Sequence, residues 1–474
     1  MTKTVKSLPA LILGLALMVF PRFLPSAFQL SPDGMQVLGI FLGAVVLWLF
    51  VDISWPSVLT LMALALVPGV STNAVISASF GNSTIWFLVF SFLITFTLSE
   101  TGFLRRLALA FLNTGFARRG AWAFVMMFLL AVLVLGSFIA PTVTFLLFFA
   151  LHKEVSLALN LKPGSPMAKA LMIGTACVTS ISCAMTPIAH TFPLMALGFH
   201  HEATGETISY LSYLKIGLPS GIALFLLSYL LLYLGFRKGF RAEKLSLKSL
   251  SLNQPSNLDS REIFSVAVFL IVILTWLLTG VFPDQLKAVN TLGTVWPAMA
   301  GVVILAAVPV NKKPVLDIKK GLAQGVSWTS ILLCAAALAL GKYVSEEGYG
   351  ITALIGDSLL PLAGSLGIKG TLLILIAATI LMTNFMSNIV TTTVMYNVSF
   401  AILTSLALTM TNVPFETAAI LIGLCASLAF ATPPAIAHIA LAAGSDWAGP
   451  RDMLAYGGLL ALIAIPVVFL FTVI

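Results

Sequence analysis

The sequence predicts an all-α polytopic membrane protein with about 11 transmembrane helices and two re-entrant hairpins in two inverted-topology repeats. Three observations predict this fold: composition, apolar segments and a repeated phrase. The chain has 474 residues, of which 59% are hydrophobic and only 9% are charged, and its mean hydropathy is +1.06. Soluble domains carry about 25% charged residues. Apolar segments of roughly 20 residues, enough to cross a bilayer, recur along the chain.

The repeated phrase points to a binding site between two halves. The sequence TPIAH at 186–190 returns as TPPAIAH at 432–438. Proline interrupts the helical hydrogen-bond ladder, and a histidine in an apolar segment is costly. Unwound backbone at bilayer depth is tolerated only where protein or a water-filled cavity satisfies it. Paired interruptions at corresponding positions of two halves are typical of the binding site of a secondary transporter.

The apolar segments and the basic residues together predict the topology. We place crossings at 8–29, 36–52, 55–70, 79–101, 169–200, 213–236, 263–282, 291–309, 326–345, 415–444 and 453–474. With a cytoplasmic N-terminus and an extracytoplasmic C-terminus, most of the 25 Lys and Arg fall inside, as the positive-inside rule requires. The net charge of +8 therefore reflects a cell-membrane topology and predicts no nucleic-acid partner.

The domain organisation follows the repeat. We expect an N-terminal transmembrane helix at 1–30, a first repeat at 31–236, a cytoplasmic linker at 237–262 and a second repeat at 263–474. Within the repeats lie hairpins at 122–151 and 370–408 and broken helices at 169–200 and 415–444. Each repeat holds five crossings, an odd number, so the second copy is expected to be inverted. The stretch 104–121, with four arginines, is predicted to be an amphipathic interfacial helix.

The centre of the second hairpin is unusually polar. Hydroxyl and amide side chains crowd the stretch 383–393. Serine and threonine back-bonding within a helix is one explanation. The alternative is a ligand site, because a re-entrant hairpin exposes helix ends and N-terminal ends favour anions.

These residues resemble the divalent anion/sodium symporter (DASS) family. Ser387-Asn388 followed by Thr391 is similar to the Ser-Asn-Thr hairpin-tip signature of that family, and 431–435 resembles its threonine-proline-proline loop. The resemblance implies a homodimer in which each protomer has a scaffold and a mobile transport domain. It also implies elevator-type movement of dicarboxylates, citrate-like anions or sulfate.

The sequence also departs from that family pattern. The first tip reads Ala140-Pro141-Thr142, and Ile389 replaces the signature threonine of the second. We therefore expect no cofactor; if sodium is bound, Ser387 and Asn388 are its side-chain ligands. Each proline loop has instead gained a histidine, and a protonated imidazole can supply positive charge opposite a dianion. Packing is the alternative role for these histidines.

The functional prediction is exchange of small dicarboxylate anions (succinate, malate, fumarate, 2-oxoglutarate) across the lipid bilayer. Sodium- or proton-coupled symport of a dicarboxylate, citrate or sulfate is the alternative. An enzyme is not expected, because no HExxH, nucleophile elbow or paired-aspartate motif occurs. The expected substrate-binding residues are Thr142, Thr144, Thr186, Pro187, His190, Ser387, Asn388, Thr391, Thr432, Pro433 and His438. We expect His152, His200 and His201, at predicted membrane boundaries, to be solvated.

Overall fold

The structure is a computed structural model that describes residues 8–24, 30–242, 259–282 and 284–473. These residues are almost entirely helical, with one two-residue β-hairpin, β1 (Pro309–Val310) and β2 (Lys313–Pro314). The all-α prediction is confirmed. Among the described residues, eight helices are long and apolar enough to cross a membrane, or nine if the bent pair over 72–99 counts as one span.

The first half of the described chain contains eleven helices. They are α1 (Leu8–Val19), α2 (Pro32–Phe50), α3 (Trp55–Leu64), α4 (Thr72–Ala78), α5 (Ser83–Ser99), α6 (Phe103–Leu112), α7 (Ala121–Gly136), α8 (Pro141–Ala158), α9 (Pro166–Met185), α10 (Thr191–Thr204) and α11 (Tyr210–Ala242). Helix α1 rises only about 18 Å, so its described part is shorter than the predicted crossing at 8–29.

The second half of the described chain contains ten helices. Its helices are α12 (Ser260–Val281), α13 (Lys287–Asn290), α14 (Val295–Ala307), α15 (Ile318–Lys320), α16 (Trp328–Ser345), α17 (Ile351–Phe385), α18 (Asn388–Ala407), α19 (Phe415–Ala426), α20 (Ala437–Ala443) and α21 (Pro450–Val473). A glycine divides α17, because Gly367 has a φ of 66° that side chains rarely adopt. The hairpin arm therefore follows Gly367. The predicted linker is also shorter, since α11 extends to Ala242 and α12 starts at Ser260; residues 243–258 lie outside the described chain.

Each predicted broken helix is two helices separated by non-helical backbone. The first is α9 and α10, and the second is α19 and α20. Helix α10 packs against α18 and α19 of the second half, while α20 packs against α8 and α9 of the first. The two halves therefore interlock where their helices are interrupted.

The expectation of solvated boundary histidines was wrong for two of the three. His152 is fully buried, and its Nε2 lies 2.9 Å from the carbonyl oxygen of Ala168. His200 is also buried, whereas His201 is half-buried. The reason is that each histidine lies on a helix face covered by other elements: the ring of His152 packs edge-on against Trp447, and His200 continues the buried face formed by Gly198 and Phe199.

Candidate functional site

Four interruptions of helical structure form the candidate site. Two are hairpin tips: tip 1 (137–140) between α7 and α8, and tip 2 (386–387) between α17 and α18. The other two are loop 1 (186–190) between α9 and α10, and loop 2 (427–436) between α19 and α20. Each loop lies beside the tip of its own half, as the following hydrogen bonds show.

In each half, a threonine hydroxyl joins the loop to the hairpin by a hydrogen bond. The hydroxyl of Thr186 donates to the carbonyl oxygen of Ser137, and the hydroxyl of Thr432 donates to that of Asn384. Thr432 lies 246 positions after Thr186, and Asn384 lies 247 after Ser137. The same contact therefore occurs at matching positions of both halves. These threonines shape the loops through backbone contacts.

The amide of Asn384 is fully satisfied and holds loop 2 in its extended form. Its Nδ2 donates to the carbonyl oxygens of Ile380 at 2.8 Å and Leu428 at 3.0 Å. Its Oδ1 accepts from the backbone amides of Phe430 at 2.8 Å and Ala431 at 2.9 Å. Asn384 belongs to the polar stretch 383–393 but was not among the expected site residues. Its position four residues before the signature asparagine was the available signal.

Each histidine contacts a serine of the opposite half. Nδ1 of His190 lies 3.1 Å from the hydroxyl of Ser427, and Nε2 of His438 lies 2.7 Å from that of Ser180. The serines are 247 positions apart. Both imidazoles are buried. The site therefore contains two pseudo-symmetric histidine–serine contacts, and each joins one half of the chain to the other.

Tip 2 contains an unpartnered amide. Asn388 is 2% exposed, and neither Nδ2 nor Oδ1 has a hydrogen-bond partner within the described residues. A buried polar group without a partner costs about 1–3 kcal/mol, so such groups require an explanation. Ser387 beside it is half-buried, while Thr391 is buried and its hydroxyl bonds back to the Ser387 carbonyl at 3.1 Å. The back-bonding expected as an alternative therefore occurs at Thr391, and the amide of Asn388 is left for a ligand.

Tip 1 offers fewer polar side chains. Pro141 occupies the first turn of α8, where its missing N–H costs nothing. Thr142 is exposed, and Thr144 is buried with its hydroxyl 3.4 Å from the Ile139 carbonyl. Within the described residues, no hydrogen bond links Thr142 or Thr144 to loop 1 or tip 2.

Sodium would find different ligands at the two tips. Ala140 and Pro141 carry no side-chain oxygen, and the Ser137 carbonyl already accepts from Thr186. Tip 2 offers the Ser387 hydroxyl and the free Oδ1 of Asn388. Across the described ranges, no cluster of His, Cys, Asp and Glu could hold a metal ion. At tip 1 the two positions Ala140 and Pro141 thus offer no side-chain oxygen to a cation, whereas the matching positions of tip 2 offer two.

Two cavities lie near loop 1. The larger measures about 500 Å³, lies between α11, α12 and α14, and is lined by Tyr210, Trp276 and Thr294. A smaller cavity of about 80 Å³ shares these three residues and also touches Pro187. Pro187 is buried, whereas Pro433 in loop 2 is half-buried. Loop 1 therefore borders the smaller cavity through Pro187.

Comparison with known proteins is consistent with this architecture. The family described as "Sodium:sulfate symporter transmembrane region" matches residues 5–474. The chain is 26% identical over 369 residues to the sodium-dependent dicarboxylate transporter SdcS of Staphylococcus saprophyticus, covering 73% of this chain and 69% of that protein. It is 22% identical over 264 residues to an uncharacterised transporter of Methanocaldococcus jannaschii, and this match spans 56% of each chain.

A solved structure shares the fold. The YdaH transporter of Alcanivorax borkumensis superposes with a TM-score of 0.56 at 12% identity, covering 93% of this chain and 98% of the other. At this identity the likeness concerns the fold alone. It agrees with a helical, multi-pass membrane architecture.

Proposed function

This chain belongs to the family of the sodium:sulfate symporter transmembrane region, and from this premise we propose that it exchanges C4 and C5 dicarboxylates across the cell membrane. The substrates would be succinate, malate, fumarate or 2-oxoglutarate. The protein is a multi-pass membrane transporter, and the proposal adds its substrate class, its exchange mode and its elevator-type movement. The dicarboxylate relative SdcS supports the substrate class.

The unpartnered amide of Asn388 carries the proposal. A carboxylate can accept from Nδ2, and the adjacent Ser387 hydroxyl can donate to the same anion. The N-terminus of α18 begins at Asn388, so its helix dipole favours negative charge there. A bound carboxylate would thus satisfy the Nδ2 donor of this amide, whereas Oδ1 would need a donor or a cation. The second carboxylate would lie toward tip 1, near Thr142 and Thr144.

Movement of the loops and tips as one unit is the proposed transport step. The two threonine contacts and the two histidine–serine contacts join both loops, tip 1 and the α17 arm. A unit held in this way can shift relative to the remaining helices without dismantling its binding residues. We further propose that the repeats are inverted in the membrane, that the N-terminus is cytoplasmic, and that the protein is a homodimer.

Exchange is preferred over sodium coupling because tip 1 has Ala140 and Pro141, without side-chain oxygens, where tip 2 has Ser387 and Asn388. Coupled symport of a dicarboxylate, citrate or sulfate is the second candidate, and the sodium dependence named for SdcS favours it. Counterflow in proteoliposomes, with a panel of dianions and with or without sodium, distinguishes these modes. We expect uptake only with internal dianion. Accumulation into vesicles that contain buffer alone, driven by a sodium gradient, would overturn exchange.

A variant of Asn388 tests the site itself. Asn388→Leu removes no hydrogen bond from the described protein, so we expect unchanged or raised thermal stability together with at least a tenfold loss of counterflow. Asn397→Leu is the matched control, because this buried asparagine on the same helix donates to the Thr393 carbonyl at 2.8 Å. It should lower stability more than Asn388→Leu. Normal counterflow by stable Asn388→Leu protein would remove Asn388 from the site.

A further inference from the structure

The hydrogen bonds of the two serines determine which nitrogen of each histidine carries a proton. The Ser180 hydroxyl lies 2.6 Å from the Ala429 carbonyl oxygen and 2.7 Å from Nε2 of His438. A carbonyl only accepts, so the single hydroxyl proton goes to Ala429, and Nε2 of His438 must donate to Ser180. Neutral His438 is therefore protonated at Nε2 and has a bare Nδ1.

The same reasoning applies to His190. The Ser427 hydroxyl donates to the Gly423 carbonyl at 3.0 Å, so it accepts from Nδ1 of His190. The Cys183 thiol, 3.4 Å from the same nitrogen, donates to the Ser180 carbonyl and leaves only its sulfur as a weak acceptor. Neutral His190 is thus protonated at Nδ1 and has a bare Nε2.

Both bare nitrogens lack partners. Nδ1 of His438 is buried without a hydrogen bond, on a side chain with no exposed surface. No hydrogen bond to Nε2 of His190 occurs within the described ranges either. A bare nitrogen repels a carboxylate oxygen, because both are acceptors. Protonation turns it into a charged donor, which is the group that a carboxylate requires.

Among the described residues, no charged side chain contacts either histidine. The groups facing the pair are Ser180 and Cys183 on α9, Ser427 at the start of loop 2, and the rings of Phe145 on α8 and Phe192 on α10. On α8, α9, α10 and α19, charged side chains lie at least eight residues from these groups, or about 12 Å along the helix. They are Lys153 and Glu154 on α8, Lys169 on α9, Glu202 on α10 and Glu416 on α19; Lys342 lies on α16, which packs against α10, and Arg451 and Asp452 lie on α21.

We propose that the His190/His438 pair binds one proton together with each dianion, so that the transported unit is a dianion plus a proton. The two imidazoles are joined through Ser180 and Cys183, and two like charges in one buried site oppose each other, so the pair takes one proton and not two. Exchange of one such unit for another moves no net charge across the membrane. This inference rests on the proposed function and specifies its co-substrate.

Two measurements on the unmodified protein test it. Both carboxyl groups of a dicarboxylic acid ionise below neutral pH, so the substrate is mostly a dianion between about pH 7 and 8.5, and a change of KM in this range arises from titration of the protein. With equal pH on both sides, the KM for succinate counterflow should rise by roughly tenfold per pH unit above the histidine pKa. In weak buffer at about pH 8, succinate should cause uptake of about one proton per protomer. A flat KM or no proton uptake overturns the inference.

A double variant tests whether the proton binds to these two histidines. His438→Gln and His190→Asn can each keep the donated hydrogen bond to serine, because their amide nitrogens correspond to Nε2 and Nδ1, but neither binds a proton. The double variant should exchange with a KM independent of pH. His152→Gln, at a buried histidine bonded to Ala168, is the matched control and should retain the slope. A persistent slope in the double variant overturns the inference. Absence of counterflow by the unmodified protein, for every dianion at every pH, would instead overturn the proposed function.

Discussion

Nδ1 of His190 lies 3.1 Å from the hydroxyl of Ser427, although 237 positions separate the two residues. Ser180 and His438 make the equivalent contact in the opposite direction. The broken helix of each half is thus completed by a side chain of the other. Substitutions at these interruptions should therefore affect a unit shared by both halves, and the following predictions test that unit.

Asn384 should be required for both stability and transport. Asn384→Ala removes the partners of the Leu428 carbonyl and of the Phe430 and Ala431 amides, so we expect a loss of about 3 kcal/mol in unfolding free energy. Unfolding and counterflow in purified protein measure the two effects. Asn397→Ala, which loses one bond to Thr393, is the control. Equal losses for both variants would contradict the role of Asn384 in loop 2.

The two loop threonines should behave alike. Thr186→Val and Thr432→Val keep the side-chain shape but remove the hydroxyl that donates to Ser137 or Asn384. Each should cost about 1 kcal/mol, and the double variant should cost about the sum, since each contact lies within its own half. Thermal unfolding measures this, with the corresponding serine variants expected to retain the bond. A loss of stability in only one of the two valine variants would contradict the equivalence of loop 1 and loop 2.

Gly457 allows α21 to approach loop 2. A Cβ at Gly457 would meet the Phe430 carbonyl oxygen at 2.1 Å, so Gly457→Ala should displace the loop and cost about 1–3 kcal/mol. The next residue provides the control, because a Cβ at Gly458 meets nothing within 4 Å. Gly458→Ala should leave stability and counterflow unchanged. Similar behaviour of both variants would show that loop 2 can move aside.

The adjacent arginines of α6 should contribute unequally. Arg105 binds Glu154 at 2.8 Å on a partly exposed surface, whereas Arg106 binds the buried Glu262 at 2.9 Å. Removing Arg106 leaves a buried carboxylate without this partner, which is the more damaging change. The melting temperature of Arg106→Gln should fall further than that of Arg105→Gln. The reverse order would indicate that Glu262 finds another partner.

Composition, proline positions and the repeat were enough to predict the helical membrane fold and the four interruptions. Those features depend on local chemistry, because prolines such as Pro187 and Pro433 interrupt a helix through their own covalent structure. The partners of His190, His438 and Asn384 depend on how distant helices pack, and no local pattern encodes that. For the same reason the burial of His152 and His200 was missed: a position near a predicted membrane boundary does not reveal which helix covers it.

The contact between His190 and Ser427 also has a consequence for biosynthesis. Loop 1 is made first, but its serine partner is added 237 residues later. At roughly 5–20 residues per second, the ribosome needs about 10 to 50 s to supply it. During that interval the first half resides in the bilayer with a buried imidazole that has not yet met its acceptor. A nascent chain arrested before α19 would keep that unfinished surface, which membrane quality control could recognise and remove.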